Sequence, residues 1–109
     1  MTALVYTTVG TQEEARALAR TLFAERLIVC ANIGQLHTAL YVEDGNVNEL
    51  QEASLLCKTH RALLDRTVAR IEALHPYDSP VVTGWNADAA GAFAGEWTAL
   101  LVGAGNTIS

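Results

Sequence analysis

The chain has 109 residues, of which half are apolar and 17% are charged, and this composition excludes a disordered chain. Its length is that of one domain, so we assign residues 1–109 to a single domain with a core at about 3–101 and a flexible tail at 103–109. The net charge of −5, without any basic patch, excludes a typical nucleic-acid-binding protein.

Targeting signals are absent from the sequence pattern. The first ten residues have neither the basic start nor the cleavage site of a signal peptide, and no apolar stretch is long enough to span a membrane. We therefore expect a cytoplasmic protein with no membrane partner. The two cysteines, Cys30 and Cys57, are then expected to be reduced thiols.

The first half of the chain predicts a strand, a helix and a second strand. Residues 3–9 are rich in β-branched and aromatic side chains, which is typical of a buried strand. Thr11 and Glu14 match a helix-capping box. The helix that follows has an apolar face made of Ala15, Leu18, Ala19, Leu22 and Phe23. Residues 27–33 form the next apolar strand, and residues 36–43 extend it after a break at Gly34.

The second half repeats the pattern with a long hairpin. Asp44-Gly45 predicts a two-residue turn, because both residue types tolerate positive φ. A strand over residues 47–59 and a helix over 61–74 follow, the helix with an apolar stripe of Leu64, Val68, Ile71 and Leu74. Residues 81–85 predict a short strand. Residues 87–101 predict a third helix whose inward residues are Ala90, Phe93, Ala94, Trp97 and Leu101.

This order of elements predicts an α+β fold. The sequence β-α-β-β-α-β is that of a ferredoxin-like domain, an antiparallel sheet with helices on one face, here with an extra C-terminal helix. The predicted hairpin is long for so small a sheet and leaves an exposed strand edge. Exposed edges are usually covered or paired, so we expect the chain to form a homo-oligomer.

The stretch HPYDSP, residues 75–80, holds both prolines of the chain. Pro76 disfavours the helical conformation for His75 and so predicts a helix end at about Leu74. Pro80 favours an extended Ser79 and can open the final strand. The stretch is therefore interpreted as a fixed corner between a helix and a strand, with His75 and Tyr77 available for a site.

No sequence pattern for catalysis is present, and we do not expect an enzyme. The chain has no G-x-S-x-G, no G-x-G-x-x-G and no P-loop. It also has no local metal motif, so a metal site would combine distant residues. Thiol and imidazole groups suit copper or zinc. The candidate ligands are Cys30, Cys57, His37, His60 and His75.

Several motifs in order resemble the CutA divalent-cation tolerance family. HPYDSP matches its H-P-Y-x-x-P motif, and Cys30 within LIVCANI matches its cysteine strand. The residues Leu40-Tyr41 before the hairpin, Lys58-Thr59 at the end of the long strand and Trp97 in the last helix also match. The resemblance covers about residues 3–101.

The resemblance implies a ferredoxin-like subunit in a homotrimer, with hairpin strands that pair between subunits. It implies a role in tolerance to divalent metals, copper above all, with a metal ion (Cu or Zn) at inter-subunit sites near Cys30 and His75. The alternative is a module similar to PII-type signalling proteins, which binds a small anionic ligand or a partner protein in the inter-subunit clefts. In that case Lys58 and Tyr77 are the predicted contacts.

The chain departs from the family pattern in three places. Val81 stands where the family usually has a glutamate, and Glu43 stands where it usually has a tryptophan. The change at Val81 removes an oxygen ligand and a partner for His75. A third expected residue, a proline near Gly34, is absent as well.

Overall fold

The computed structural model describes residues 1–103, and its order of elements is the predicted one. The strands and helices are β1 (Thr2–Val9), α1 (Gln12–Ala24), β2 (Cys30–Ile33), β3 (His37–Glu43), β4 (Asn46–His60), a 3-10 turn (Arg61–Leu63), α2 (Leu64–Leu74), β5 (Val82–Asn86) and α3 (Ala92–Ala99). Apart from residue 103, the predicted flexible tail lies outside the described residues.

The sheet is antiparallel with the strand order β2-β4-β1-β5, and β3 pairs with the first half of β4. This arrangement confirms the ferredoxin-like fold, with β2 and β3 as two pieces of one broken strand. The predicted turn is also confirmed, because Asp44 and Gly45 have φ values of 53° and 76°. The 15-residue strand β4 makes the molecule long, 49 Å against 27 and 22 Å.

The second strand is shorter than predicted. It begins at Cys30, although the apolar run begins at Leu27. Arg26 takes a left-handed φ of 58° after α1, and the chain then crosses the core before it joins the sheet. The carbonyl of Leu27 accepts hydrogen bonds from Thr59 Oγ1 at 2.6 Å and Thr67 Oγ1 at 3.4 Å, so side chains replace the missing backbone partner.

The two faces of the sheet differ. The helix face carries the core, in which α1 and α2 cover buried side chains of β1 and β4 such as Val5, Leu55 and Cys57. Side chains alternate along a strand, so the residues between these buried ones point to the opposite face of the sheet. We call this opposite face the open face. The open face holds Leu4 and Tyr6 of β1, Leu56 and Lys58 of β4, Cys30 of β2 and Trp85 of β5.

The third helix lies at one end of the open face. Thr98 is buried there, and its Oγ1 lies 3.4 Å from Thr2 Oγ1. The helix is shorter than predicted and starts after Gly91. Leu101 is buried as expected, but the predicted inward residue Phe93 is 69% exposed. The prediction for Phe93 was wrong because the buried side of the helix is the one that carries Thr98, and Phe93 lies about 140° away from Thr98 around the helix axis.

Candidate functional site

Cys30 and Lys58 are neighbours on the open face. They are directly paired between β2 and β4, and both are half-buried. The thiol of Cys30 lies 3.7 Å from Asn32 Oδ1, the side chain two residues along the same strand. The pairing follows from the sheet register, which the sequence alone did not specify. These two groups form one candidate site.

His75 is buried at 8% exposure, and both of its ring nitrogens are engaged. Nδ1 accepts a hydrogen bond from the Tyr77 backbone N–H at 3.1 Å. Nε2 lies 2.8 Å from the carbonyl oxygen of Thr8 and 3.1 Å from Thr7 Oγ1. This pattern assigns the neutral tautomer with the proton on Nε2. The imidazole therefore ties the end of α2 to β1 and has no free lone pair for a metal ion.

The corner around His75 has the predicted geometry. The helix α2 ends at Leu74, and His75 is extended with φ −65° and ψ 138°. Thr7 Oγ1 donates a hydrogen bond to the carbonyl of Val81 at 2.9 Å, which fixes the far end of the corner to the same strand. The two prolines and these contacts set the position of Tyr77.

Tyr77 lies in a groove of about 390 Å³, which we call the tyrosine groove. Its hydroxyl donates a hydrogen bond to Glu52 Oε2 at 2.8 Å. Burial and the neighbouring Glu52 carboxylate raise the pKa of the Tyr77 phenol to about 12. The groove lies between the hairpin and the HPYDSP corner and is lined by Thr8, Tyr41, Glu43, Leu50, Glu52, Tyr77, Ser79 and Val81.

Two findings in this groove were not foreseen. Glu43 and Val81, two of the three departures from the family pattern, both line it. Glu52 is only 8% exposed, although the sequence analysis did not single it out. The available signal was its place as a carboxylate inside a long strand, directly before the buried residue Ala53.

The four predicted site residues fall into two separate groups within one chain. Lys58 pairs with Leu4, whereas His75 contacts β1 at Thr7 and Thr8, about 10–13 Å further along the strand at roughly 3.3 Å per residue. Across residues 1–103, no group of three or more His, Cys, Asp or Glu side chains could hold a metal ion. One chain therefore does not bring Cys30 and His75 together.

The remaining metal candidates have structural contacts. Cys57 is fully buried in the core, and this burial raises the pKa of its thiol to about 12. His60 Nδ1 accepts a hydrogen bond from the Ala62 N–H at 3.0 Å and so caps the 3-10 turn. His37 Nδ1 lies 3.2 Å from the carbonyl of Gln35.

We also find that none of the helices described is long and apolar enough to cross a membrane.

Comparison with known proteins agrees with this architecture. The family profile described as CutA1 divalent ion tolerance protein matches residues 3–99. The divalent-cation tolerance protein CutA of Pyrococcus horikoshii is 40% identical over 79 residues, which are 72% of this chain and 76% of that protein. The protein of the same name from Thermus thermophilus is 40% identical over 82 residues, 75% of this chain and 80% of that one.

A solved structure shows the same fold. The crystal structure of divalent ion tolerance protein CutA1 from Ehrlichia chaffeensis superposes with a TM-score of 0.86 at 29% identity. The match covers 94% of this chain and 95% of that one. The profile match, the identities and the fold lead to one conclusion: the chain belongs to the CutA family of divalent-cation tolerance proteins.

Proposed function

We propose that the protein acts in the response to divalent metal ions, copper above all, as a cytoplasmic homotrimer that binds the ion weakly at inter-subunit sites with Cys30 and His75 as ligands. These two residues are separate within one chain, so a site that contains both requires a second copy. The cytoplasmic location rests on the two free thiols of the chain.

The open face favours self-association. Tyr6 and Trp85 are 38% and 44% exposed there, beside the half-buried Leu4 and Leu56. An exposed apolar surface of this kind is typical of a protein–protein interface. The strand β3 also pairs with β4 alone among the described strands, so its other edge can pair with another chain. The number of three copies follows from the family resemblance.

Light scattering on the purified protein tests the assembly. We expect a mass three times that of the 11.7 kDa chain. The substitution Trp85→Glu should lower this mass, since it places a charge on the open face. Phe23→Glu is the matched control, because Phe23 is similarly exposed at 41% but lies on α1. A monomeric wild-type protein would contradict the proposal.

Copper titration tests the ligands. The thiol of Cys30 suits copper, whereas His75 must give up a hydrogen bond to Thr8 or to the Tyr77 N–H before it can bind. We expect Cys30→Ala to abolish the copper–thiolate absorption band and His75→Ala to weaken binding at least tenfold. Cys57→Ala is the thiol control and should keep the band. Undiminished affinity in the Cys30→Ala, His75→Ala double variant would rule out this site.

A second candidate function is supported by Lys58, the sole lysine of the chain. It is half-buried on the open face, and no carboxylate pairs with it within residues 1–103. An unpaired cation in this position can contact an anion, as the PII-like alternative requires. Lys58 is not part of the tyrosine groove, so Tyr77 is a separate contact in this alternative. A thermal-shift screen with nucleotides and organic acids, repeated on Lys58→Gln, tests it.

A further inference from the structure

The tyrosine groove has the charge of a cation site. Two carboxylates, Glu43 and Glu52, contribute to its lining, which includes no basic side chain. Glu52 Oε2 accepts the hydrogen bond from Tyr77, but Glu52 Oε1 has no hydrogen-bond partner among residues 1–103. Glu52 lines the groove and is only 8% exposed, and a buried carboxylate oxygen without a hydrogen bond is costly, so Glu52 Oε1 is a strong acceptor.

The rest of the lining indicates which cation fits. Leu50 and Val81 provide an apolar wall, and Tyr41 and Tyr77 provide aromatic rings. Aromatic faces attract organic ammonium groups, and apolar walls bury their hydrocarbon parts. The volume of about 390 Å³ is that of a small-molecule pocket and is far larger than a bare metal ion needs. The described residues also lack a three-ligand cluster for a metal there.

We propose that the tyrosine groove binds a small organic ammonium ion, whose charged group contacts Glu52 Oε1 and whose hydrocarbon part packs on Leu50 and Val81. Glu43 adds attraction at the exposed rim of the groove. This site goes beyond the metal-binding role proposed above and uses neither Cys30 nor Lys58. It also differs in sign from the anionic ligand of the alternative function.

Titration of the wild-type protein with butylamine, followed by NMR chemical shifts, tests the proposal. Butanol is the matched neutral probe, and Mg²⁺ is the probe for charge alone. We expect butylamine to shift groove resonances at concentrations at which butanol and Mg²⁺ do not. Equal binding of butanol, displacement of butylamine by equimolar Mg²⁺, or no butylamine binding would each overturn the proposal.

Variants locate the binding site. Glu52→Gln keeps an acceptor for the Tyr77 hydroxyl but removes the charge, and we expect at least tenfold weaker binding. Glu43→Gln should weaken binding about two- to fivefold, as for an exposed charge. Glu49→Gln is the control: Glu49 pairs with Leu40 on the other face of the hairpin and lines no part of the groove. Unchanged binding in Glu52→Gln, or weakened binding in Glu49→Gln, would refute the site.

An additional variant keeps the test valid if Glu52→Gln alters folding. Val81 is exposed and lines the groove, so Val81→Lys adds an internal ammonium group without loss of a buried contact. We expect this lysine to occupy the acceptor of Glu52 and to abolish butylamine binding, while circular dichroism stays that of the wild type. Wild-type affinity in Val81→Lys would contradict the proposed contact.

Discussion

Replacing Gly84 with alanine tests how closely α2 packs on the sheet. Gly84 lies in β5 opposite Val5, directly beneath α2. A Cβ atom at this position would come within 2.7 Å of Leu64 Cδ1, 3.0 Å of Val68 Cγ2 and 3.3 Å of the carbonyl oxygen of Leu4. The backbone of Gly84 does not have a positive φ, so the added methyl group is opposed by packing alone.

The magnitude follows from two opposing effects. Overpacking of a core by one carbon atom costs about 1–3 kcal/mol. Replacement of glycine by alanine in an allowed conformation restricts the unfolded chain and gains about 0.4–1 kcal/mol. The middle values of these ranges are about 2 and about 0.7 kcal/mol, so we expect Gly84→Ala to lower the free energy of unfolding by about 1.3 kcal/mol.

Urea denaturation at a fixed protein concentration measures the effect, since the proposed association would also contribute to stability. Leu64→Ala removes the nearest clashing atom, so the double variant Gly84→Ala, Leu64→Ala should be more stable than the sum of the two single effects predicts. Strict additivity, or a Gly84→Ala protein as stable as the wild type, would show that α2 has room to move away from the sheet.

Three further predictions concern other parts of the molecule. Thr11→Ala should lower the free energy of unfolding by about 1 kcal/mol, because Thr11 Oγ1 accepts a hydrogen bond from the Glu14 N–H at 3.0 Å. Thr21→Ala, within the same helix, is the control and should change this free energy by less than about 0.5 kcal/mol. Equal losses for the two variants in urea denaturation would contradict the cap. In an absorbance titration, the Tyr77 phenol should ionise near pH 12. Because this pKa lies above the value of about 10 in the unfolded chain, neutral Tyr77 stabilises the fold below about pH 10, and this stabilisation is lost as the pH rises to about 12. Tyr77→Phe should remove this pH dependence of the free energy of unfolding. Ellman's reagent should react with Cys30 in the folded protein and with Cys57 only after unfolding, so rapid reaction of folded Cys30→Ala would show that Cys57 is accessible.

The local features of the fold could be predicted because short stretches of sequence determine them. Thr11 caps α1 through a residue three positions away, and Asp44-Gly45 adopts the positive φ values that a two-residue hairpin requires. Pro76 ends α2 at Leu74 by its effect on the preceding residue. The apolar stripes of both helices also predicted which faces are buried, apart from the exposed Phe23.

The contacts of the site could not be predicted, because they join distant parts of the chain. Tyr77 meets Glu52 across 25 positions, and His75 meets β1 across 67 or 68. A histidine beside two prolines has the same sequence pattern whether its ring nitrogens are free or engaged. Only the packing of α2 against β1 shows that Nε2 of His75 is used by the carbonyl of Thr8.

The long strand β4 restricts how the length of this protein can change in evolution. Its second half lies in the core between β1 and β2, while its first half forms the hairpin with β3. A deletion in one arm alone would leave residues unpaired. Loss of one residue from each arm would restore pairing but exchange the two surfaces of the hairpin beyond the cut. Only the loss or gain of two residues in each arm preserves both the strand pairing and the two surfaces of the hairpin. We therefore expect hairpin lengths among relatives to differ in total by multiples of four.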